Sequence, residues 1–127
     1  MLCKECSFDK KTENTAWVLD TLTHTFNSNP WYSVSRRDIE NIAGKKIGRF
    51  KPSAATINPA TGELYVISSI NKKLVIIKSK TVKAVISLER NLFEQPEGIC
   101  FTPTGELIVA NEAGKKKHAT ILIFAKK

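Results

Sequence analysis

The sequence predicts an all-β chain, a β-propeller fragment of about two and a half four-stranded antiparallel blades. Three observations predict it. The stretch FEQPEGICFTPTGELIVANE, residues 93–112, repeats FKPSAATINPATGELYVISS, residues 50–69, at an offset of 43 or 44 residues. Each copy reads as strand, Pro-Gly turn, strand. The composition, 42% hydrophobic and 25% charged over 127 residues, is that of one ordinary globular domain.

The repeat pairs Phe50 with Phe93, Pro52 with Pro96 after one inserted residue, Pro59 with Pro103, and Gly62-Glu63-Leu64 with Gly105-Glu106-Leu107. A period of this size belongs to supersecondary units that stack on their neighbours because none can bury its apolar face alone.

Taken in chain order, residues 1–26 read as the end of one blade. Matching strand ends sets Met1-Leu2-Cys3-Lys4 against Val66-Ile67-Ser68-Ser69, which puts Met1 in mid-strand. A third strand is then expected at residues 15–20 and a fourth near 23–26. Residues 27–49 are a polar connecting insertion that breaks the repeat, with a short helix over Arg36–Ala43 stopped by Gly44.

Residues 50–88 read as a complete blade. Its first strand, Ala54–Ile57, stops before Pro59, which has no N–H for a ladder, and Gly62 supplies the conformation a tight turn needs. Leu64–Ser68 is apolar enough to be buried on both faces, as is its counterpart Leu107–Asn111. A polar turn leads to Lys73–Lys78, and residues 82–88 form a fourth strand with Val82, Ala84, Ile86 and Leu88 alternating. Residues 93–127 read as a final blade lacking its outer strand, with strands at 98–101, Leu107–Asn111 and Thr120–Phe124. This inventory leaves sheet faces and edges without neighbours. The expected partners are missing propeller blades, from a longer parent, or a second copy of the chain.

The formal charge of +8 comes from sixteen Lys and four Arg against twelve acidic residues, with Lys concentrated in turns and at strand ends. The densest cluster, Lys115 to Lys117 with His118, reads as a solvated hairpin loop, and no aromatic residues alternate with the Lys residues as stacking platforms would. Nucleic-acid binding is therefore not expected. A membrane span is not expected either, since no apolar run approaches the ~18–20 residues required. The opening MLCKECSFDK lacks the basic, apolar, small-residue order of an export signal. Cys3 and Cys6 form a lone C-x-x-C without a second pair of ligands, and Cys100 stands in an apolar run, so all three read as strand and turn cysteines.

Candidate site residues follow from the pairing of the strands. Glu97 begins one strand and Glu112 follows the end of its antiparallel neighbour, so the two carboxylates should lie at one end of the sheet, near a propeller channel mouth. Ca²⁺ collects carboxylate, carbonyl and water oxygens, which makes Glu97, Glu112 and Asn111 candidate ligands. The alternative is that Glu97 caps a turn and Glu112 is a solvated strand-end charge. Their counterparts in the first copy, Ser53 and Ser69, are neutral, and Lys4 takes the corresponding place in the first unit. Trp17, Trp31, Tyr32 and Tyr65 could line a ligand mouth, although Trp17 and Tyr65, placed in strands, read as core. No G-x-S-x-G is present, and neither His24 nor His118 stands in a recognisable catalytic context.

The run from Gln95 to Phe101, the turn Thr102-Pro103-Thr104-Gly105 and the strand ending Asn111-Glu112 resemble the final blade of the SdiA-regulated (YjiK-like) proteins. That family is similar to the NHL-repeat and phytase-like six-bladed propellers. Phe50 to Ser53, Asn58-Pro59 and Gly62 to Ser69 resemble its penultimate blade, with Ala54-Ala55 departing from the Gly-Ile of the final one. The resemblance implies a channel-side metal or ligand site at the Glu pair and an exported, cell-envelope setting. With no catalytic constellation in view, the expected role is a non-catalytic ligand-binding or scaffold module; the alternative is an incomplete piece of a phytase-like or esterase-like hydrolase.

Overall fold

The computed structural model describes residues 12–114 and 118–125, so the expected strand at residues 1–4, Cys3, Lys4, Cys6 and the Lys115 to Lys117 cluster lie outside the described residues. From Thr12 the chain runs out and folds back on itself. Strands β1 (Glu13–Ala16) and β2 (Leu19–Asp20) run out, and β3 (Thr25–Phe26) and β4 (Tyr32–Ser35) return as antiparallel partners, β2 with β3 and β1 with β4. The strand expected at residues 15–20 is thus broken at Trp17 and Val18. Asn27 N donates to Val18 O (3.1 Å) and Trp31 N to Ala16 O (2.9 Å), so the residues between are looped out. Pro30, which cannot donate, stands within that loop. The Asp20 carboxylate accepts from the N–H groups of Leu22 (2.8 Å) and Thr23 (3.2 Å), and those bonds hold its pKa below the usual value.

β4 occupies the segment expected to be only a polar insertion. Its Val34 is buried to 1% exposure, and the strand leads directly into helix α1 (Arg36–Ala43). Ser35 caps the helix by accepting from Arg37 N at 3.1 Å, and Gly44 ends it at φ 66°. Glu40 then accepts from Ile47 N at 3.0 Å, turning the strap after the helix back toward the sheet.

The main sheet has the order β5-β6-β7-β8, from β5 (Ala54–Ile57), β6 (Leu64–Ser68), β7 (Lys73–Lys78) and β8 (Thr81–Ser87), all antiparallel. Both faces are covered. One packs Val66, Val75, Ile77 and Val82 against Val34, the fully buried Ile39 of α1, and Phe50. The other packs Ile67 and Leu74 toward a second sheet of order β11-β10-β9, from β9 (Pro96–Phe101), β10 (Leu107–Asn111) and β11 (Thr120–Phe124). There they meet Ile99, Leu107, Val109 and Leu122, with Phe93 and Leu88 closing the cluster. Tyr65 stands edge-on to Phe101 across the junction, with ring centroids 5.1 Å apart. The equivalent residues Phe50 and Phe93 therefore anchor successive cores.

The two turns between paired strands account for the return of the offset from 44 to 43 residues. Asn58 opens the first, and Gly62 takes φ 68°; the second closes one residue sooner, with Gly105 at φ 93° donating to Thr102 O.

Two expectations are corrected. β8 does not alternate throughout, because the register shifts between Ile76 and Ile77, pairing them with Ala84 and Val82. Lys83 is the extra residue, so Val82 and Val85 share one face while Leu88 reaches the other core. β10 is covered on one face only. Ile108 and Ala110 lie in rows with Cys100, Ile123, Gly98 and Ile121, and Ile121 and Ile123 remain 69% and 64% exposed. The chain is thus mostly β, built of small antiparallel sheets, and no closed sheet is present among the described residues.

Candidate functional site

One end of both sheets gathers the start of β9, the end of β10, the β6–β7 turn and the segment after β8. Glu97, in β9, and Glu112, just past β10, both stand at this end of the second sheet. The β9–β10 register passes from Ala110 opposite Gly98 to Asn111 opposite Pro96, which leaves Glu97 as an exposed bulge residue without a ladder partner. Its charge acts on Lys72. Burial first, and the charge of Arg90 second, hold the Lys72 ammonium below its usual pKa, while Glu97 and Glu94 oppose them more weakly. Lys72 Nζ donates to the Glu94 carbonyl.

Glu112 is exposed and already engaged. Its Oε2 accepts from Gln95 Nε2 at 2.6 Å, and its N–H donates to Gln95 O at 2.8 Å. Asn111 points inward at 4% exposure, with Nδ2 donating to Leu92 O and to Thr120 Oγ1, both at 3.1 Å. Its Oδ1 is buried with no hydrogen-bond partner among the described residues. A cavity of about 310 Å³ lies beside it, lined by Glu94, Glu112, His118 and Thr120 among others. Among the described residues no group of three or more His, Cys, Asp or Glu side chains lies together. A calcium ion at Glu97 and Glu112 would need its further oxygens from carbonyls, water or a neighbouring molecule.

The serine counterparts have structural duties. Ser53 Oγ donates to Pro96 O at 2.7 Å, tying the edge of the main sheet to the first residue of β9, and accepts from Ser69 N at 3.2 Å. Ser68, the counterpart of Asn111, has its hydroxyl 2.6 Å from Lys51 O and 2.8 Å from Asn71 Oδ1. Both Ser68 and Asn111 thus stitch the end of a second strand to the segment that enters its sheet. This role was not visible in the Asn-Glu spelling.

The aromatic residues divide between core and groove, with Tyr65 in the core as expected. Tyr65 belongs to the junction between sheets. Trp17 is half-buried and, with Trp31, lines an apolar groove of about 570 Å³ against Ala55 and Ile57 of β5. Tyr32 packs on the core of α1 and stands edge-on to Trp31 at 6.3 Å. Sequence reading passed over a second groove, formed by the doublets Lys45-Lys46 and Lys72-Lys73 with Arg90, whose parts come from three separate segments. The repeated doublet was its visible signal. Among the described residues, no helix is long and apolar enough to cross a membrane.

A scan against protein-family models, a search of curated proteins and a search of solved structures each found no significant match to this chain.

Proposed function

We propose that this chain is a non-catalytic ligand-binding or scaffold module of a β-propeller protein, with residues 50–88 as one blade and 93–127 as the next. The resemblance to SdiA-regulated proteins suggests the same assignment. The supporting observation is an equivalence of faces. On the main sheet, the face packed toward β9–β11 carries the rows Ala54–Ile67–Leu74 and Thr56–Tyr65–Ile76. Their counterparts by repeat and register are Gly98–Ala110–Ile121 and Cys100–Ile108–Ile123, the rows left exposed on the second sheet. The covered face of the second sheet, with Ile99, Val109 and Leu122, corresponds in turn to the face of the main sheet that α1 and β4 cover.

Stacking is therefore head to tail, and the second sheet presents the same kind of surface that it itself covers on the first. The partner that fits is another sheet of this kind, from missing blades of a longer parent or from a second copy of the chain. Burying a large aliphatic side chain contributes about 1.5–3 kcal/mol, so the uncovered isoleucines give such a contact a substantial driving force. Light scattering of the wild-type chain should show concentration-dependent association, and Ile121→Asp with Ile123→Asp should abolish it. A wild-type chain that stays monomeric and melts cooperatively, with the double variant indistinguishable from it in solution, sinks the stacking reading. A Ca²⁺ or small-ligand contact at Glu97 and Glu112 belongs to the same proposal, with the unpartnered Asn111 Oδ1 in its favour.

A further inference from the structure

The end of the main sheet that carries the β6–β7 turn holds a groove of about 570 Å³. Its charged lining is basic throughout: Lys45 and Lys46 from the strap after α1, Lys72 and Lys73 from the turn into β7, and Arg90 beyond β8. Its shape depends on Asn71. That side chain accepts from Lys51 N at 3.0 Å and donates to Ile47 O (3.0 Å) and Arg49 O (3.2 Å), clamping the strap onto the turn. The clamp brings lysines distant in sequence to one place. Lys72 itself adopts φ 50°, a left-handed conformation that L residues other than glycine enter at a cost.

Lys73 is the innermost cation, at 6% exposure, with Nζ donating to Ser87 Oγ at 2.5 Å. Burial, and then the charge of Lys45, hold its ammonium below the usual lysine pKa. Glu94 and Glu97 partly offset the charge of Lys72, yet no carboxylate lines the groove. Five basic residues lining one concavity, with Lys45 acting on Lys73 and Arg90 on Lys72, create a positive potential there, and a multivalent anion entering it relieves their mutual repulsion.

We propose that this groove binds the phosphate groups of a small phosphorylated molecule. A phosphate offers several oxygens and more than one negative charge at a single centre, which suits several ammonium donors and one guanidinium. The lining contains no aromatic ring, so it lacks the stacking platform on which single-stranded nucleic acid depends. The groove's own geometry carries this inference, which stands whether or not the sheets stack with further partners.

Inorganic tripolyphosphate is a suitable probe, titrated by calorimetry at fixed ionic strength into the full chain. One-to-one binding is expected. Lys73→Met and, separately, Lys45→Met should each weaken it about tenfold or more, whereas Lys78→Met, on the exposed far end of β7, should leave it unchanged. Lys45 is exposed on the strap, so its variant keeps the test valid if the buried Lys73 proves necessary for folding. Absence of saturable binding overturns the proposal. So does equal weakening by all three variants, which would mark diffuse attraction to a basic protein. An oligothymidylate that displaces tripolyphosphate while binding the chain more tightly would also overturn it, in favour of nucleic acid.

Discussion

At the residue scale, the two copies differ in charge where a site was sought, Ser53 against Glu97 and Ser69 against Glu112. Ser53 faces the neighbouring sheet and is occupied by Pro96 O, whereas Glu97 sits on a bulge whose side chain is free to leave the ladder. Glu97 and Glu112 stand at the same end of the second sheet, since antiparallel pairing fixes which strand ends coincide. What sequence could not give was the competitor: Gln95 holds Glu112, and nothing in Q-P-E-G distinguishes a ligand from a partner to a ligand. If the Glu pair binds Ca²⁺, millimolar Ca²⁺ should raise the melting temperature of the wild type by several degrees, and Glu97→Gln should erase the shift. A flat response in the wild type would leave both glutamates as strand-end charges.

At the scale of elements, legibility followed the strength of local chemistry. β5, β6 and β10 were readable because Pro-Gly turns adjoin them, β7 and β11 because they are aliphatic runs after polar turns, and α1 because Gly44 marks its stop. β4 was not readable. Tyr32-Ser33-Val34-Ser35 offers only two apolar residues, and its burial comes from packing beside α1 over the main sheet, a tertiary cause. The bulge at Lys83 was equally hidden, since a register shift is a property of two strands together. The helix is consequently more than an insertion: Ile39, fully buried, fills the face that a neighbouring sheet fills elsewhere. Ile39→Ala should cost about 2–5 kcal/mol of unfolding free energy, read from the urea midpoint, because the packed surroundings collapse only in part. A loss below about 0.5 kcal/mol would mean that α1 is dispensable to the sheet, as for a typical surface substitution.

At the scale of the whole molecule, burial is graded along the stack. The main sheet is covered on both faces, the second on one, and the outer rows of the second sheet carry isoleucines into solvent. One of those rows also holds Cys100, an exposed free thiol flanked across the ladders by Ile108 and, beyond it, Ile123. Its place turns the cysteine into an internal gauge of occupancy. Alkylation of the peptide containing Cys100, followed by mass spectrometry to separate it from Cys3 and Cys6, should be rapid in dilute wild-type protein and slow under conditions where the face is covered. Equal rates in dilute and associated protein would place the contact on some other surface. The thiol thereby lets chemistry time the docking event itself, without a probe being built into the chain.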